Sequence, residues 1–277
     1  MKTPEIIAAE VLEDLRIRRP LILCLTNNVV QNITANMLLA VGAVPVMLTH
    51  EQEIRELLRS CANGLLINVG TINESQAATM LAAAEQAHAQ GLPWVLDPVA
   101  VGLLSFRTRV CRQLLEYRPA MIRGNASEII ALAGAKGELC RGVESAAQSE
   151  AALAAAQTLA QQTGATVLVT GETDYATDGC NTISCRNGDV IMTRVTGVGC
   201  AMGALATACL ASADTPLHAA LATAAILGIA GEKAAHHRPA PGSFAVQLLD
   251  ELSLISPDDV AKISRLTQIC RTDDYLA

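Results

Sequence analysis

The sequence has few aromatic residues and few charges. Six of its 277 residues are aromatic, and 17% are charged, with a net charge of −7. A surface that binds nucleic acid needs clustered positive charge, often with aromatic side chains for stacking, so we expect no nucleic-acid partner. A charged fraction below the usual quarter predicts that some apolar surface is covered by further copies of the chain.

The chain also lacks the signals of secretion, membrane insertion and disulfide stapling. Charges at Lys2, Glu5 and Glu10 interrupt the N-terminus, which therefore has no apolar signal-peptide core. The uncharged stretch 195–213 contains three glycines and predicts a buried helix with its loop, so we expect no membrane association. Nine cysteines, odd in number and without a C-x-x-C pair, predict reduced thiols in a cytoplasmic protein.

With 51% hydrophobic residues, the chain is predicted to form one domain over residues 1–277. After a predicted helix at residues 4–18, short apolar runs alternate with helical periodicity. The predicted strands cover 21–26, 44–49, 64–69, 93–96, 120–123 and 165–170, and helices follow them at 31–41, 51–59, 74–90, 107–117, from Asn125 onward, and at 144–163. This alternation is typical of βαβ units, and it predicts an α/β fold with a mostly parallel central sheet flanked by helices.

The pattern changes after residue 170. Short strands are predicted at 174–176, 181–186 and 190–195, and the sequence Asn187-Gly188-Asp189 favours a hairpin turn between the last two. The sheet is therefore expected to have an antiparallel edge. The remaining sequence is predicted to be helical at about 200–213, 216–235, 243–253 and 257–270.

The most informative stretch is the glycine-containing turn at residues 194–204. Gly197 and Gly199 permit a tight turn close to a ligand, and the run to residue 213 predicts a helix. Free N–H groups at such a helix start bind anions, most often phosphate. The spacing G-x-G-x-x-x-G differs from the dinucleotide motif, and no G-x-x-x-x-G-K-[ST] sequence is present. The alternative is a turn whose glycines serve only close packing.

Cys200 lies in the first turn of that predicted helix. A thiol at this position has a lowered pKa, which makes Cys200 a candidate base or nucleophile. The alternative is a small, partly apolar residue that fills space. A cysteine-dependent hydrolase would also need an oriented histidine, and none of the five histidines is evidently placed for that role.

The ends of the predicted strands supply further candidates, because ligands of open α/β sheets bind beyond the carboxyl ends of the strands. Asp97, before a proline, is either a ligand of hydrated Mg²⁺ or a turn aspartate. Glu128 is a second candidate, but Asn125-x-x-Glu128 also fits a capping box. Arg123 is a phosphate clamp or a surface ion-pair residue, and Thr170 binds a ligand or caps its strand.

Seven stretches of the sequence, taken in order over residues 10–255, resemble the hydroxyethylthiazole kinases of the ribokinase-like superfamily, which serve thiamine salvage. The stretches are Thr26-Asn27-Asn28-Val29-Val30-x-Asn32-x-Thr34-Ala35-Asn36, Leu66-Ile67-Asn68-Val69-Gly70-Thr71, Leu96-Asp97-Pro98-Val99-Ala100-Val101-Gly102, Ile122-Arg123-Gly124-Asn125-Ala126-Ser127-Glu128-Ile129, Val169-Thr170-Gly171-Glu172, Thr196-Gly197-Val198-Gly199-Cys200 and Pro241-Gly242-Ser243-Phe244. Cys200 makes the resemblance specific, because the wider superfamily usually has a catalytic aspartate there.

The resemblance implies a ribokinase-like fold and ATP-dependent phosphorylation of the primary alcohol of 4-methyl-5-(2-hydroxyethyl)thiazole, with Mg²⁺. It implies a homotrimer with thiazole sites between neighbouring subunits. No insertion corresponds to the lid of the ribokinases, so we expect no separate lid, and an adjacent subunit would cover the site. The site residues that it implies are Asn27, Met47, Gly70 and Gly197 for the thiazole, Arg123, Thr170 and Gly199 for ATP, Asp97 and Glu128 for the metal ion, and Cys200 for catalysis.

Two other classes of protein remain as alternatives. Nicotinamide-nucleotide hydrate dehydratases share the fold and a similar anion-binding loop, but Cys200 and the stretch 26–36 fit them poorly. A non-catalytic thiazole-binding protein would not need Asp97, Arg123 and the anion-binding loop together.

Overall fold

The computed structural model describes residues 2–134, 146–236 and 239–270, and the predicted alternation of strands and helices is present in it. The first elements are α1 (Pro4–Arg18), β1 (Leu21–Leu25), α2 (Gln31–Val41), β2 (Val44–Val46), α3 (Glu51–Ser60) and β3 (Gly64–Asn68). They are followed by α4 (Glu74–Gln90), β4 (Trp94–Asp97), α5 (Ser105–Leu115), β5 (Met121–Asn125), α6 (Ala126–Leu132), α7 (Ala146–Thr163) and β6 (Thr166–Thr170). Residues 144 and 145 of the predicted 144–163 helix lie outside the described residues.

The second part of the chain has short strands and then mostly helices. Its elements are β7 (Asp174–Thr177), β8 (Thr182–Cys185), a 3₁₀ helix (Val190–Arg194), α8 (Val198–Leu210), α9 (Pro216–Ala235), α10 (Pro241–Leu254), α11 (Pro257–Ile263) and β9 (Leu266–Cys270). None of the helices in the described ranges is long and apolar enough to cross a membrane.

The strands of the described residues form one nine-stranded sheet in the order β2-β1-β3-β4-β5-β6-β7-β8-β9. The pairs from β2 to β6 are parallel, and those from β6 to β9 are antiparallel. The predicted fold class, a mostly parallel sheet with an antiparallel edge, is therefore confirmed. Because every described strand belongs to this sheet, these residues contain no separate lid sheet.

Two local predictions at the antiparallel edge were wrong. Residues 190–194 form the 3₁₀ helix instead of a strand, and Asp189 caps that helix by accepting a hydrogen bond from the N–H of Ile191 at 2.9 Å. The predicted hairpin is therefore absent, and β8 pairs with β9 instead. Residues 266–270, predicted as the end of a helix, form β9, because long-range pairing with β8 prevails over local propensity.

Helices cover both faces of the sheet. Side chains alternate along β1, so that Ile22 and Cys24 pack with α1, α2 and α8 to α11, whereas Leu23 and Leu25 pack with α3 to α7. Helices α8 and α9 are buried on nearly all sides, which explains their alanine-rich sequences without a polar face. The two cores hold the sheet rigidly between helices and leave its carboxyl edge free for a site.

Helix α9 packs directly on the loop that follows β8. A Cβ at Gly228 would lie 2.6 Å from both the carbonyl oxygen and the Cβ of Asn187. The buried Asn187 side chain joins this loop to the end of α11, because its Oδ1 accepts from the N–H of Arg265 at 2.6 Å and its Nδ2 donates to the carbonyl of Ile263 at 3.3 Å. Gly228 thus allows the approach that holds β8, β9 and α9 together.

Replacing Gly228 by alanine is expected to destabilise the fold. Alanine favours a helix over glycine by roughly 1 kcal/mol, but overpacking against backbone atoms that cannot rotate away typically costs about 1–3 kcal/mol. We expect G228A to lower the Tm by about 2–6 °C, measured by thermal unfolding at equal protein concentration. The control is G242A on α10, where no described atom lies within 4 Å of the new Cβ. A Tm of G228A equal to that of the control would contradict this role.

Candidate active site

The predicted site residues lie together at the carboxyl edge of the sheet. Asn27 follows β1 and Gly70 follows β3, while Asp97 ends β4 and Thr170 ends β6. Asn68 and Asp97 are register partners on adjacent strands. Helix α8 begins above this edge and contacts β1, β3 and β4. The strand ends and the start of α8 therefore form one candidate site.

The start of α8 has the geometry that its glycines predicted. Gly197 is the N-cap residue with φ +97°, a conformation that favours glycine, and no side chain caps the helix. A Cβ at this residue would lie 2.8 Å from Cγ2 of Ile33 and 3.0 Å from Cγ1 of Val30. The turn therefore enters the helix directly, and the first N–H groups of α8 are available to an anion. The helix ends at Leu210, three residues before the predicted end.

The other two glycines of this motif allow close packing against charged side chains. A Cβ at Gly199 would lie 3.2 Å from Nη2 of Arg123, and one at Gly203 would lie 3.3 Å from Oδ2 of Asp97. The guanidinium thus lies against the first turn of α8, and the carboxylate lies beneath its second turn. The close-packing interpretation of the glycines is therefore confirmed, and it is compatible with the predicted anion site, because the same turn leaves the first N–H groups of α8 uncapped by a side chain.

Asp97 is a fully buried carboxylate with few partners. Its Oδ2 accepts a hydrogen bond from Nδ2 of Asn68 at 2.7 Å and lies 3.8 Å from Nη1 of Arg123. Its Oδ1 is buried without a hydrogen-bond partner among the described residues. Burial raises the pKa of Asp97 to about 7, while the positive charge of Arg123 opposes that rise. A buried oxygen without a partner is the expected state of a ligand atom whose cation is bound only with substrate.

Glu128 forms the capping box that its spacing predicted. Its Oε2 accepts from the N–H of Asn125 at 2.9 Å, and the N–H of Glu128 donates to Oδ1 of Asn125 at 2.9 Å. Its Oε1 accepts from the N–H of Ala100 at 2.9 Å, in the loop after β4. Glu128 therefore joins the loops that follow β4 and β5, and its charge also raises the pKa of nearby Asp97.

These two carboxylates fit Mg²⁺ better than a cation that needs a protein cage. No group of three or more His, Cys, Asp or Glu side chains that could hold a metal ion occurs within the described ranges. Mg²⁺ is usually bound through one or two carboxylates, with phosphate oxygens and water as the other ligands. The unpartnered Oδ1 of Asp97 supplies one such ligand atom.

Arg123 and Thr170 face a large cavity. Nη2 of Arg123 donates to Oγ1 of Thr170 at 2.8 Å, whereas Nε of Arg123 is buried without a partner in the described structure. With Gly199 they line a cavity of about 1170 Å³, whose other walls include apolar side chains such as Val190, Met202 and Leu227. A charged end beside a helix start and an apolar wall suit the phosphates and the base of a nucleotide.

Cys200 lies in the first turn of α8, close to Asn27. The Nδ2 group of Asn27 lies 3.6 Å from Sγ of Cys200, and a Cβ at Gly70 would lie 2.8 Å from the same Nδ2 group. The prediction of a lowered thiol pKa was wrong. Burial raises the pKa of Cys200, and the negative charge of Asp97 adds to the rise, against the donors Asn68 and Asn27.

The structure thus brings Asn27, Gly70 and Cys200 into contact. Met47 is less closely connected, since it follows the edge strand β2 and packs half-buried against the core. Sequence reasoning assigned no role to Asn68, whose side chain is fully buried between Asn27 and Asp97. The available signal was a polar amide at the end of the otherwise apolar strand β3.

Comparisons with known proteins agree on one family. The family model for the hydroxyethylthiazole kinase family matches residues 12–258. The chain is 54% identical over 250 residues to the hydroxyethylthiazole kinase of Akkermansia muciniphila, an alignment that covers 90% of this chain and 92% of the relative. It superposes on the structure of hydroxyethylthiazole kinase from Pyrococcus horikoshii with a TM-score of 0.87 and 38% identity, covering 95% and 98% of the two chains.

A more distant likeness extends to the fold alone. A ribokinase-like superfamily protein from Enterococcus faecalis matches with a TM-score of 0.61 at 11% identity, covering 92% of this chain and 96% of that one. The fold is therefore ribokinase-like. The family match over most of the sequence, together with the arrangement of the site, shows that this chain belongs to the hydroxyethylthiazole kinase family.

Proposed function

We propose that this protein transfers the terminal phosphoryl group of ATP to the primary alcohol of 4-methyl-5-(2-hydroxyethyl)thiazole, a reaction that serves thiamine salvage. The observation that carries the proposal is the placement of two successive residues at the start of α8. Gly199 lies against Arg123 at the large cavity, and Cys200 lies beside Asn27. The N-terminus of one helix therefore joins the large cavity to the residues that we assign to the acceptor.

On the nucleotide side, Arg123, Thr170 and Gly199 bind ATP. The guanidinium of Arg123 offers charge-assisted donors to phosphate oxygens, and the absent side chain of Gly199 lets phosphate and guanidinium approach the N–H groups of α8. These donors are fixed before the substrates arrive, because Thr170 and the helix hold the guanidinium in place. Phosphoryl transfer depends mainly on such alignment and charge stabilisation.

Asp97 would hold Mg²⁺ through its unpartnered Oδ1, and Glu128 would orient the loops around it. When bound, the cation neutralises negative charge on the phosphates. Each Glu128 oxygen already accepts a backbone N–H, so this residue acts on the metal site chiefly through the positions of Ala100 and Asn125. Asp97 itself is held by Asn68 and Arg123.

On the acceptor side, the thiazole lies against Asn27, Met47, Gly70 and Gly197, with its hydroxyl facing Cys200. A loose transition state for phosphoryl transfer demands little from a base. Cys200 therefore assists the alcohol as a positioned weak base and is not a covalent nucleophile. Burial raises the pKa of the thiol, which disfavours the thiolate that covalent catalysis would need, and the assignment as a weak helper rests on the small demand that this reaction makes on a base.

The protein assembles as a homotrimer with sites between neighbouring subunits. Large apolar side chains stand exposed in loops at the carboxyl edge, among them Val29 (65% exposed) after β1 and Leu103 (63%) after β4. Exposed apolar groups at this edge, of which Val29 lies two residues from Asn27, support a cover provided by another copy of the chain. In the proposed trimer Met47, which follows the edge strand β2, meets that neighbour. Seven of the cysteines in the described ranges are free thiols, which supports the predicted cytoplasmic location.

The proposed activity predicts thiazole-dependent release of ADP. Purified protein with ATP and Mg²⁺ is supplied with hydroxyethylthiazole or, separately, with hydroxymethylpyrimidine, and the product mass is measured. We expect ADP and a product heavier by one phosphoryl group with the thiazole only. Nucleotide hydrolysis coupled to dehydration of a nicotinamide-nucleotide hydrate would instead favour the lyase, and thiazole binding without turnover would favour a binding protein.

Replacement of Cys200 tests its role as a weak base. Loss of a general base typically costs about 10²–10⁴-fold in rate, and for C200A we expect a fall in kcat at the lower end of this range or less. C200D is expected to retain activity, because a carboxylate is a stronger base than a neutral thiol. The matched control is C61A, because Cys61 is exposed and has no proposed role in the site. A phosphorylated Cys200 trapped during turnover would overturn this role, as would a folded but inactive C200D.

The proposed assembly predicts a particle mass of three chains. Light scattering coupled to size-exclusion chromatography is expected to give three times the 29.0 kDa of one chain. V29D, which places a charge on an exposed apolar side chain beside the site, is expected to lower this mass and raise the KM for the thiazole. A monomer with full activity would show that one chain builds the complete site.

A further inference from the structure

The fully buried side chain of Asn68 lies at the junction between the two halves of the candidate site. Its Nδ2 donates to Oδ2 of Asp97 at 2.7 Å, and its Oδ1 accepts from Nδ2 of Asn27 at 3.0 Å and from the N–H of Gly70 at 3.0 Å. One amide therefore contacts a candidate metal ligand, the Asn27 side chain and the Gly70 backbone. It also lowers the pKa of nearby Cys200.

The orientation of this amide is determined by its partners. Asp97 offers an acceptor and can be met only by the NH₂ group, while Asn27 and Gly70 offer donors and can be met only by the oxygen. A flipped amide would place two donors against one another and an oxygen against a carboxylate. Because Asn68 is fully buried, water cannot replace a lost partner without a rearrangement.

Asn27 depends on Asn68 for its own orientation. The two protons of its Nδ2 group point to Oδ1 of Asn68 at 3.0 Å and to Sγ of Cys200 at 3.6 Å, and its Oδ1 accepts from the N–H of Val29 at 3.1 Å. Gly70 permits this arrangement, since a Cβ there would lie within 3.0 Å of the Asn27 side chain. Without the Asn68 oxygen, the Asn27 amide would lose the partner that turns it towards Cys200.

Asn68 also determines which oxygen of Asp97 remains available. Its donation occupies Oδ2, which leaves Oδ1 without a partner at the place where a cation would bind. No other residue type combines these functions in the same volume. Aspartate has the shape but lacks the donor, serine has only one hydroxyl, and leucine has neither donor nor acceptor.

We propose that Asn68 is a positioning residue for phosphoryl transfer, which holds Asp97 at the cation and phosphate side and Asn27 and Cys200 at the alcohol side in one fixed geometry. The proposal rests on the kinase activity proposed above. Asn68 itself touches neither substrate. Its removal is expected to misalign the two reactants, and therefore to act on kcat more than on the binding of either substrate.

The test compares N68D, which keeps the shape of the side chain, with N68S and with the control N63D. Asn63 precedes β3 at the opposite edge of the sheet, is exposed, and accepts the N–H of Leu21 through its Oδ1, a contact that aspartate retains. For N68D and N68S we expect kcat to fall by about 10–100-fold, the usual effect of removing a partner of a metal ligand. We expect the KM for ATP and for the thiazole to change by less than about threefold, and N63D to match the wild type.

A second readout does not require turnover. Iodoacetamide labels Cys200 at a rate that follows the thiolate, and the labelled peptide is measured by mass spectrometry. In N68D a carboxylate replaces the neutral amide that is hydrogen-bonded to Asn27, the contact of Cys200, and that lowers the Cys200 pKa, so labelling of Cys200 is expected to slow by about tenfold while the exposed Cys61 keeps its rate.

Each outcome decides between explanations. Wild-type protein without thiazole-dependent ADP release would count against the proposed function, and the labelling rates would still report on Asn68. An active wild type with unchanged kcat and unchanged labelling in folded N68D would overturn the positioning role. If neither Asn68 variant folds while N63D does, Asn68 serves stability instead, which also overturns it.

Discussion

The site depends on one carboxylate that is buried beneath a helix. Asp97 has no exposed surface, and among the described residues the only partners of its carboxylate are the Asn68 amide and, at 3.8 Å, the Arg123 guanidinium. A carboxylate in this environment is costly, which its raised pKa of about 7 expresses. The same geometry leaves one oxygen of Asp97 without a partner among the described residues. In the proposed reaction, a cation and the phosphates of the substrate would complete the charge balance at this oxygen.

The glycine spacing of α8 follows from this constraint. Gly197 makes the turn, and Gly199 leaves room for the Arg123 guanidinium. Gly203 leaves room for the Asp97 carboxylate, whose Oδ2 would lie 3.3 Å from a Cβ at that glycine. In the dinucleotide motif, the glycines surround one helix turn that binds a pyrophosphate. In the present spacing, the last glycine lies one residue further along the helix, where it packs against a buried acid. The difference between G-x-G-x-x-x-G and the dinucleotide spacing thus has a structural cause. Helix α8 connects the large cavity, the candidate cation ligand Asp97 and the side of the site at Asn27, because it is buried against three strands.

Sequence reasoning predicted the features that depend on local pattern. The alternating strands and helices, the turn at Gly197 and the capping box of Asn125 and Glu128 are confirmed, because each follows from neighbouring residues. Features that depend on distant partners were missed. β9 forms because β8 needs a neighbour, and the Cys200 pKa rises because the fold buries the thiol near Asp97. Asn68 was missed for the same reason, since its role depends on side chains 29 and 41 residues away and on Gly70.

The buried acid also explains why a thiol suits position 200. A carboxylate there would be a second negative group near Asp97, with Arg123 as the nearby positive charge, and like charges at close range cannot both remain ionised without compensation. A neutral thiol avoids that repulsion and still accepts the amide donor of Asn27. It is a weaker base, but a loose phosphoryl transfer asks mainly for alignment. In the proposed reaction, the network of Asn27, Asn68 and Asp97 would supply that alignment, so that position would do here what charge does where an aspartate stands.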